Sequence, residues 1–242
     1  MPNHVTSTVL ITGHVGQICE FRELCFVPHE REGLVFDFNT IIRMPDILNP
    51  ENPVFVEESS TTHMGAEMII WRATDAAPFS DHVSVRANHY AKMRTELGME
   101  RHPITDVIAA YFAKRPEVEE QGMLMLRAIV ETGFASWYQW SVANWGTKWG
   151  AYNFSIQSEH PLIIRFDTAW SFPMPIFNKL VERFPGLTFD IATFDEGWNF
   201  AGEGLLGAGS ERKPFRIGNE RDGLDMNALH EKARGYPYVS DE

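Results

Sequence analysis

The stretch that decides the fold is residues 162–192, which read LIIRFDTAWSFPMPIFNKLVERFPGLTFDIA. Apolar residues alternate with other residues at both ends of this stretch, which predicts two strands that each bury one face. Between them, Pro173 and Pro175 favour the start of a helix, and Pro185-Gly186 ends it. Its apolar residues recur at helical spacing: Ile176, Phe177, Leu180, Val181 and Phe184. The order is therefore strand, helix, strand.

The opening of the chain has the same order. Alternation from Val5 to Ile11 predicts a strand, and the spacing of Ile18, Phe21 and Cys25 predicts a helix of about three turns. A second alternation, over residues 34–42, predicts another strand. Two strand–helix–strand repeats separated by an insertion form a split βαβ antiparallel sheet. We therefore predict an α+β fold with a ferredoxin-like core.

The middle of the chain is predicted to be a mostly helical insertion. Thr105 and Asp106 are suited to cap one helix, Pro116 to begin a second that stops at Gly133, and Ser136 to cap a short third helix. No element is predicted between residues 51 and 79, and a hairpin is predicted around residues 198–217. The predicted organisation is a core of residues 1–44 and 143–217, an insertion of residues 45–142, and a C-terminal tail of residues 218–242.

Composition limits the classes of function. The formal net charge of −12 over 242 residues opposes tight non-specific binding to a phosphate backbone and leaves a basic protein partner open. The two cysteines, Cys19 and Cys25, are too few for a disulfide framework, so we expect reduced thiols. The N-terminus lacks the features of a signal peptide, and no apolar run approaches the roughly 20 residues that span a bilayer. We expect a cytoplasmic protein without membrane association.

Five of the seven tryptophans lie between Trp137 and Trp170. Residues 137–152 read WYQWSVANWGTKWGAY, which resembles the WYxWxxxNWGTKWxAY signature of a phage- and plasmid-encoded family described as Api-ninety-two-like. Three later segments resemble that family in the same order: FDTAWS at 166–171, FPGLTF at 184–189 and EGWNFAG at 196–202. Ser7 and Arg43 depart from its pattern. The resemblance implies a ferredoxin-like domain and a mobile-element origin, and it carries over no catalytic residue.

The aromatic segment supplies the candidate ligand-binding residues. Indole faces stack on flat ligands, while Lys148 and Arg165 are suited to meet phosphate. In the alternative interpretation the tryptophans are core residues, and Gly146-Thr147-Lys148 is only a tight turn. The sequence leaves both interpretations open. The candidate residues are Trp140, Asn144, Trp145, Thr147, Lys148, Trp149, Tyr152, Arg165, Asp167 and Trp170.

Other motifs predict neither a cofactor nor a metal. Residues 202–207 match GxGxxG, but Gly209 and Pro214 prevent the long helix that a dinucleotide site needs, so we interpret these glycines as part of a hairpin. His230-Glu231 lacks the second histidine of HExxH. His82 and His89, with Asp81, are interpreted as surface residues. Asp195-Glu196 and Asp167 would act as an acid–base pair only if the fold brings them together.

Three functions remain. The leading hypothesis is a non-enzymatic binding protein of a phage or plasmid, which counters host defence by sequestering a small nucleotide-type ligand or by blocking a host protein. The first alternative is an enzyme acting on a nucleotide or phosphorylated substrate, with Lys148, Asp167 and Glu196 as its reactive groups. The second is a ferredoxin-like sheet that binds nucleic acid by stacking bases. The oligomeric state is left open.

Overall fold

A computed structural model describes residues 3–31, 33–74 and 83–238 of the chain. They form two compact units, one of residues 1–43 with 140–242 and one of residues 44–139. The strands are β1 His4–Thr12, β2 Phe26–His29, β3 Gly33–Phe36, β4 Tyr152–Glu159, β5 Leu162–Ala169, β6 Thr188–Asp195, β7 Ala201–Gly207 and β8 Arg216–Gly218. The helices are α1 Val15–Cys25, α2 Ser60–Thr74, α3 Val83–Leu97, α4 Ile104–Lys114, α5 Pro116–Thr132, α6 Trp137–Asn144, α7 Met174–Arg183 and α8 Met226–Arg234.

The main sheet has the order β4-β5-β1-β6-β7-β8, and every neighbouring pair is antiparallel. β5 and β6 lie on either side of β1 and are joined through α7, which makes one split βαβ unit. β1 and β4 lie on either side of β5, with α1 following β1, which makes the second. The prediction of an α+β fold with a ferredoxin-like antiparallel sheet and a hairpin after it is confirmed.

The second strand of the opening repeat was assigned to the wrong segment. β3 lies within the predicted range of 34–42, but it pairs with β2 in a separate two-stranded sheet, and residues 38–40 form a 3-10 turn. The position in the main sheet belongs to β4. The alternation was real, because Phe36 and Phe38 are each 1% exposed. Periodicity shows that a strand buries one face, and it does not show which strand is its partner.

Aromatic side chains fill one face of the sheet. Phe36 from the β2–β3 hairpin contacts Phe166 of β5 at a ring-centroid distance of 5.2 Å, and Phe177 of α7 contacts Phe189 of β6 at 5.6 Å. Phe21 of α1 is also fully buried and lies 5.8 Å from Phe189. These edge-on ring contacts join the hairpin and both helices to the sheet.

The other face of the sheet is partly covered by α8, so residues 218–234 are not the tail that the sequence predicted. Asp225 caps α8 by accepting a hydrogen bond from the backbone N–H of Ala228 at 3.0 Å. Leu229 and Ala233 pack against Phe194, and the Thr8 hydroxyl donates to the Ala233 carbonyl at 2.7 Å. The helix was missed because two of its four buried residues are histidine and alanine, which are weak apolar signals.

His230 on α8 is buried and stacks on Trp198, with 5.7 Å between ring centroids. Burial lowers its pKa below the usual 6.5, and the neighbouring Arg234 charge lowers it further, against a backbone hydrogen bond at Tyr236. The unfolded chain therefore binds this proton at a higher pH than the folded chain does. We expect the free energy of unfolding to decrease as pH falls from about 6.5 through the lowered folded-state pKa.

Urea unfolding between pH 8 and pH 5 measures this effect, with His230→Phe as the comparison. The variant retains the other histidines and loses only this titration. Its stability is expected to depend less steeply on pH than that of the wild type below about 6.5. Parallel pH profiles for the two proteins would contradict the assignment.

The second unit contains α2 to α5. Its core includes Met68, Met93, Val107, Ile108 and Phe112. α4 and α5 agree with the predicted helices, including Pro116 in the first turn of α5 and Gly133 with φ of 80° at its end. The predicted cap of α4 is wrong, because the helix begins at Ile104 and Thr105 and Asp106 lie inside its first turn. α2 was not predicted. The candidate pair His82 and His89, with Asp81, lies outside the residues whose side chains the structure describes, as do residues 239–242 of the predicted tail.

Among the helices of the described ranges, none combines the length and the hydropathy that crossing a bilayer requires.

Candidate functional site

The loop that follows α6 is held at the C-terminal end of β5. The hydroxyl of Thr147 donates to the Ala169 carbonyl at 2.7 Å, and that of Ser141 donates to the Lys148 carbonyl at 2.6 Å. Ser171 donates to the Gly146 carbonyl. Gly146 has φ of 78°, a conformation that glycine adopts without strain. The loop therefore fixes the backbone of Lys148 beside the end of β5.

Four of the predicted site residues are structural. Trp140 and Trp145 are 6% and 5% exposed and contact each other edge-on. The Trp145 indole N–H donates to the Ile42 carbonyl at 2.8 Å. Thr147 is 1% exposed, and the Asn144 amide donates to the Trp140 carbonyl at 2.9 Å. Trp140, Trp145 and Thr147 are buried, and a buried indole offers no face to a ligand, so these positions favour the core interpretation.

Lys148 is placed differently from its neighbours. Its Nζ lies 4.9 Å from the ring centroid of Trp149 and 5.1 Å from that of Trp170. Trp170 is 40% exposed, and its φ of 74° is in the left-handed region. Such a backbone costs a bulky residue about 1–3 kcal/mol, and strain of this kind concentrates at functional sites. A cation and two indoles thus meet at the end of β5.

Tyr152 adjoins this group at the start of β4. Its ring lies 6.4 Å from that of Trp149, and its hydroxyl is 2.6 Å from His4 Nδ1. Burial, followed by the charges of Asp167 and Glu196, raises the pKa of Tyr152 to about 12. The charges of Asp167 and Glu196 therefore both act on this hydroxyl. Glu196 also accepts from the His4 backbone N–H at 2.7 Å.

Asp195 is separated from this surface. It is 1% exposed, and its Oδ2 accepts from the backbone N–H and the side-chain amide of Asn199 at 3.1 and 2.7 Å. Asp195 therefore supports the turn after β6. Of the two neighbouring carboxylates that the sequence singled out, only Glu196 lies near Tyr152.

Arg165 contacts other residues than Lys148 does. Its Nε donates to the Thr8 hydroxyl at 3.0 Å, and its guanidinium lies against Gly235 at the end of α8. Arg165 therefore helps to attach α8 to the sheet. The joint contact of Lys148 and Arg165 with a phosphate stays a prediction.

Asn153 was missed in the sequence, although it completes the site. Its Nδ2 donates to Asp167 Oδ2 at 2.8 Å, and its φ is 51°. With Tyr152, it lines an open cavity of about 430 Å³ beside Leu34 and Phe154. The signal was available, because asparagine tolerates the left-handed region that such a position requires. We name the surface residues Lys148, Trp149, Tyr152, Asn153, Asp167 and Trp170 the Lys148 cluster.

Neither a metal centre nor a dinucleotide turn emerges from the described residues. In the ranges 3–31, 33–74 and 83–238, no three histidine, cysteine, aspartate or glutamate side chains are grouped as metal ligands. Residues 202–207 lie in β7, which pairs with β8. A Cβ on Gly204 would lie 2.6 Å from the Pro214 carbonyl oxygen, so the close approach of these strands explains that glycine.

Comparison with protein families identifies one segment. Residues 148–212 match the model of a family described as a ferredoxin-like domain in Api92-like protein. These residues run from Lys148 through β7, and the topology of their strands agrees with that description.

Comparison with individual proteins adds little. A solved structure, the crystal structure of a protein api92 from Yersinia pseudotuberculosis, aligns over 90% of this chain and 98% of that one. The aligned residues are 12% identical and the TM-score is 0.42, so the likeness supports no statement about function. No curated protein matches the chain.

Proposed function

We propose that the protein is a non-enzymatic binding protein that captures a small nucleotide-type ligand on the Lys148 cluster. One observation carries the proposal: the Lys148 ammonium lies over two indoles, one of them 40% exposed on strained backbone. A base stacks on the exposed indole, and such stacking contributes about 1–3 kcal/mol. Lys148 then neutralises a phosphate beside the base.

Charge favours a small ligand over a polynucleotide. The net charge of −12 repels a long phosphate backbone, whereas one or two phosphates need only a local cation. A nucleic-acid-binding sheet would also need aromatic side chains on its open face. On the face that α8 covers, Phe194 is fully buried. The nucleic-acid alternative therefore has less support.

The proposal extends to the biological setting. The WYxWxxxNWGTKWxAY-like segment supports a phage or plasmid origin, in which holding a nucleotide signal without turnover lowers its free concentration and counters host defence. Capture of a host protein on the same surface is the alternative use of the site. Both statements rest on the resemblance and on the surface, and a pull-down from host cytosol with and without added nucleotide distinguishes them.

An enzyme is the second candidate, and one observation favours it. The Tyr152 hydroxyl contacts His4 at 2.6 Å, and the carboxylates of Asp167 and Glu196 act on the pKa of the same hydroxyl. The histidine in contact with this hydroxyl is the residue type that most often transfers protons in enzymes. Turnover of a nucleotide by pure protein, lost in Asp167→Ala, would establish the enzyme in place of the binding protein.

A thermal-shift screen against linear and cyclic nucleotides tests the binding proposal. A ligand with a dissociation constant of ~1 μM, supplied at ~1 mM, adds about 4 kcal/mol of apparent stability. For a chain of this size we expect the melting temperature to rise by roughly 8 °C or more. We expect Trp170→Gly to fold, because glycine adopts the φ of 74° without strain, and to lose this shift.

Lys148→Met tests whether the charge of Lys148 contributes to binding, and Lys179→Met is its control. Lys179 is a half-exposed lysine on α7 that pairs with Glu182 at 2.8 Å. Lys148→Met is expected to weaken binding by about tenfold, as for loss of one charge-assisted hydrogen bond, and Lys179→Met to leave it unchanged. Equal effects of the two substitutions, or a flat screen with wild-type protein, would contradict the proposal.

A further inference from the structure

The pairing of Asn153 with Asp167 follows from an irregularity in β4. Tyr152 pairs with Asp167 and Ser155 with Arg165, and the register shifts between these two pairs. Asn153 lies in this bulge with φ of 51° and is exposed. Bulges reorient side chains next to binding sites. Here the bulge brings the Asn153 amide to 2.8 Å from the Asp167 carboxylate.

The chemistry of the pair determines which groups remain for a ligand. A carboxylate only accepts hydrogen bonds, so the amide nitrogen of Asn153 must be the atom that faces Asp167. That contact occupies one lone pair of Asp167 Oδ2. Among the residues that the structure describes, Asp167 accepts no other side-chain hydrogen bond, which leaves Oδ1 and the second lone pair of Oδ2 as two adjacent acceptors. They complement a ligand edge that carries two adjacent N–H donors.

We infer that Asp167, held by Asn153, recognises the edge of the base that stacks on the Lys148 cluster, and that it selects guanine nucleotides. Guanine presents N1–H and N2–H side by side. Hypoxanthine lacks the N2 donor, and adenine places an acceptor, N1, opposite the carboxylate. This inference rests on the proposed function, because the base must first be bound on the indoles.

The neighbouring residues give the base a place to lie. Tyr152 adjoins both groups: its ring is 6.4 Å from that of Trp149, its backbone pairs with that of Asp167, and the Asp167 charge helps to raise the pKa of its hydroxyl. Asn153 and Tyr152 both line the cavity of about 430 Å³. Pockets for small molecules start at about 300 Å³. The inference therefore places one ligand across Tyr152, with an indole on one side and the Asp167 carboxylate on the other.

Isothermal titration of the full chain with GMP, IMP and AMP tests the inference. Because a bidentate pair typically discriminates between bases by about tenfold to a hundredfold, we expect GMP to bind that much more tightly than AMP, with IMP between them. Asp167→Asn is expected to reduce the ratio of the GMP and AMP dissociation constants to about threefold or less. AMP affinity itself should stay the same or rise, because the substitution removes the acceptor that faces adenine N1.

Two further variants complete the design. Asn153→Gly removes the side chain and keeps the left-handed backbone, so it is expected to fold and to lose part of the guanine preference. Asp190→Asn makes the same chemical change at a carboxylate that pairs with Lys232 instead, and it should leave the preference intact.

The outcomes separate the inference from the proposed function. Equal dissociation constants for the three nucleotides in wild-type protein overturn the inference and leave nucleotide binding intact. A guanine preference that survives in Asp167→Asn overturns the role of this carboxylate. If no nucleotide gives a heat of binding at concentrations up to ~1 mM, the ligand concentration of the thermal-shift screen, both proposals are overturned.

Discussion

Replacing Phe36 with alanine is expected to lower the free energy of unfolding of the sheet-containing unit by about 3–5 kcal/mol. Phe36 is 1% exposed. Its ring contacts Phe166 and Phe38 at 5.2 Å and Phe26 at 6.1 Å. It belongs to the β2–β3 hairpin, which lies outside the main sheet, so this one ring supplies much of the contact between hairpin and sheet. Its loss leaves a cavity that the surrounding rings cannot fill.

Equilibrium urea unfolding, followed by circular dichroism, measures this change. Phe215→Ala is the matched control, because Phe215 is half-buried and contacts Phe172 at 4.9 Å. We expect the control to lose less than half as much stability, since less apolar surface leaves water at that position. Equal losses at the two positions would show that the hairpin does not depend on Phe36.

Replacing Gly122 with valine is expected to cost about 3 kcal/mol, the upper part of the range for overpacked positions. A Cβ at this position would lie 2.5 Å from the carbonyl carbon of Gly65 and 2.6 Å from the backbone nitrogen of Ala66. In the reverse direction, a Cβ on Gly65 would meet the Val118 carbonyl oxygen. These obstacles are backbone atoms of two packed helices, α2 and α5, so a side-chain rotation cannot remove them.

Thermal unfolding with Gly150→Val as the control tests this crossing. A Cβ on Gly150 meets nothing within 4 Å, so the control should change stability by about 0.5 kcal/mol or less. In a helix without this contact, valine would be the more favourable residue, because glycine has the lower helix propensity. A Gly122→Val protein as stable as the wild type would therefore show that α2 and α5 are further apart.

The sequence predicted those helices and strands whose apolar spacing continues over the whole element and does not depend on a distant partner. β5, α7 and β6 follow directly from residues 162–192, α4 follows from its apolar spacing, and α5 follows from that spacing together with Pro116 and Gly133 at its ends. β4 was missed although Tyr152, Phe154 and Ile156 alternate with polar residues, and its pairing with β5 shifts register at residues 152–155 and 156–158, which residue spacing does not predict. α8 was missed although Met226, Leu229, His230 and Ala233 have helical spacing, with Asp225 and Gly235 as caps.

The sequence predicted which segment carries the candidate site, and it did not predict which side chains of that segment lie at the surface. Residues 144–152 contain both buried and half-buried aromatics, and only the packing of the fold distinguishes Trp145 from Trp149. The contact between Asn153 and Asp167 joins neighbouring strands, so it depends on a register that residue spacing does not determine. Arg165 lies on the predicted strand, but helix α8, which the sequence analysis did not find, occupies its surroundings.

The position of β1 at the centre of the sheet has a consequence for protein synthesis. Its partners are β5 and β6, which end at Ala169 and Asp195. During translation β1 therefore stays without its strand partners, and Val5, Val9 and Ile11 stay exposed to solvent. In that time residues 44–139, which form a compact unit of their own, are synthesised. Such a long-range pairing is slow and leaves strand edges open to misassembly. A nascent chain whose residues 162–169 have not yet left the ribosome therefore exposes an unpaired strand beside the helical unit, and such a chain is a substrate for chaperones.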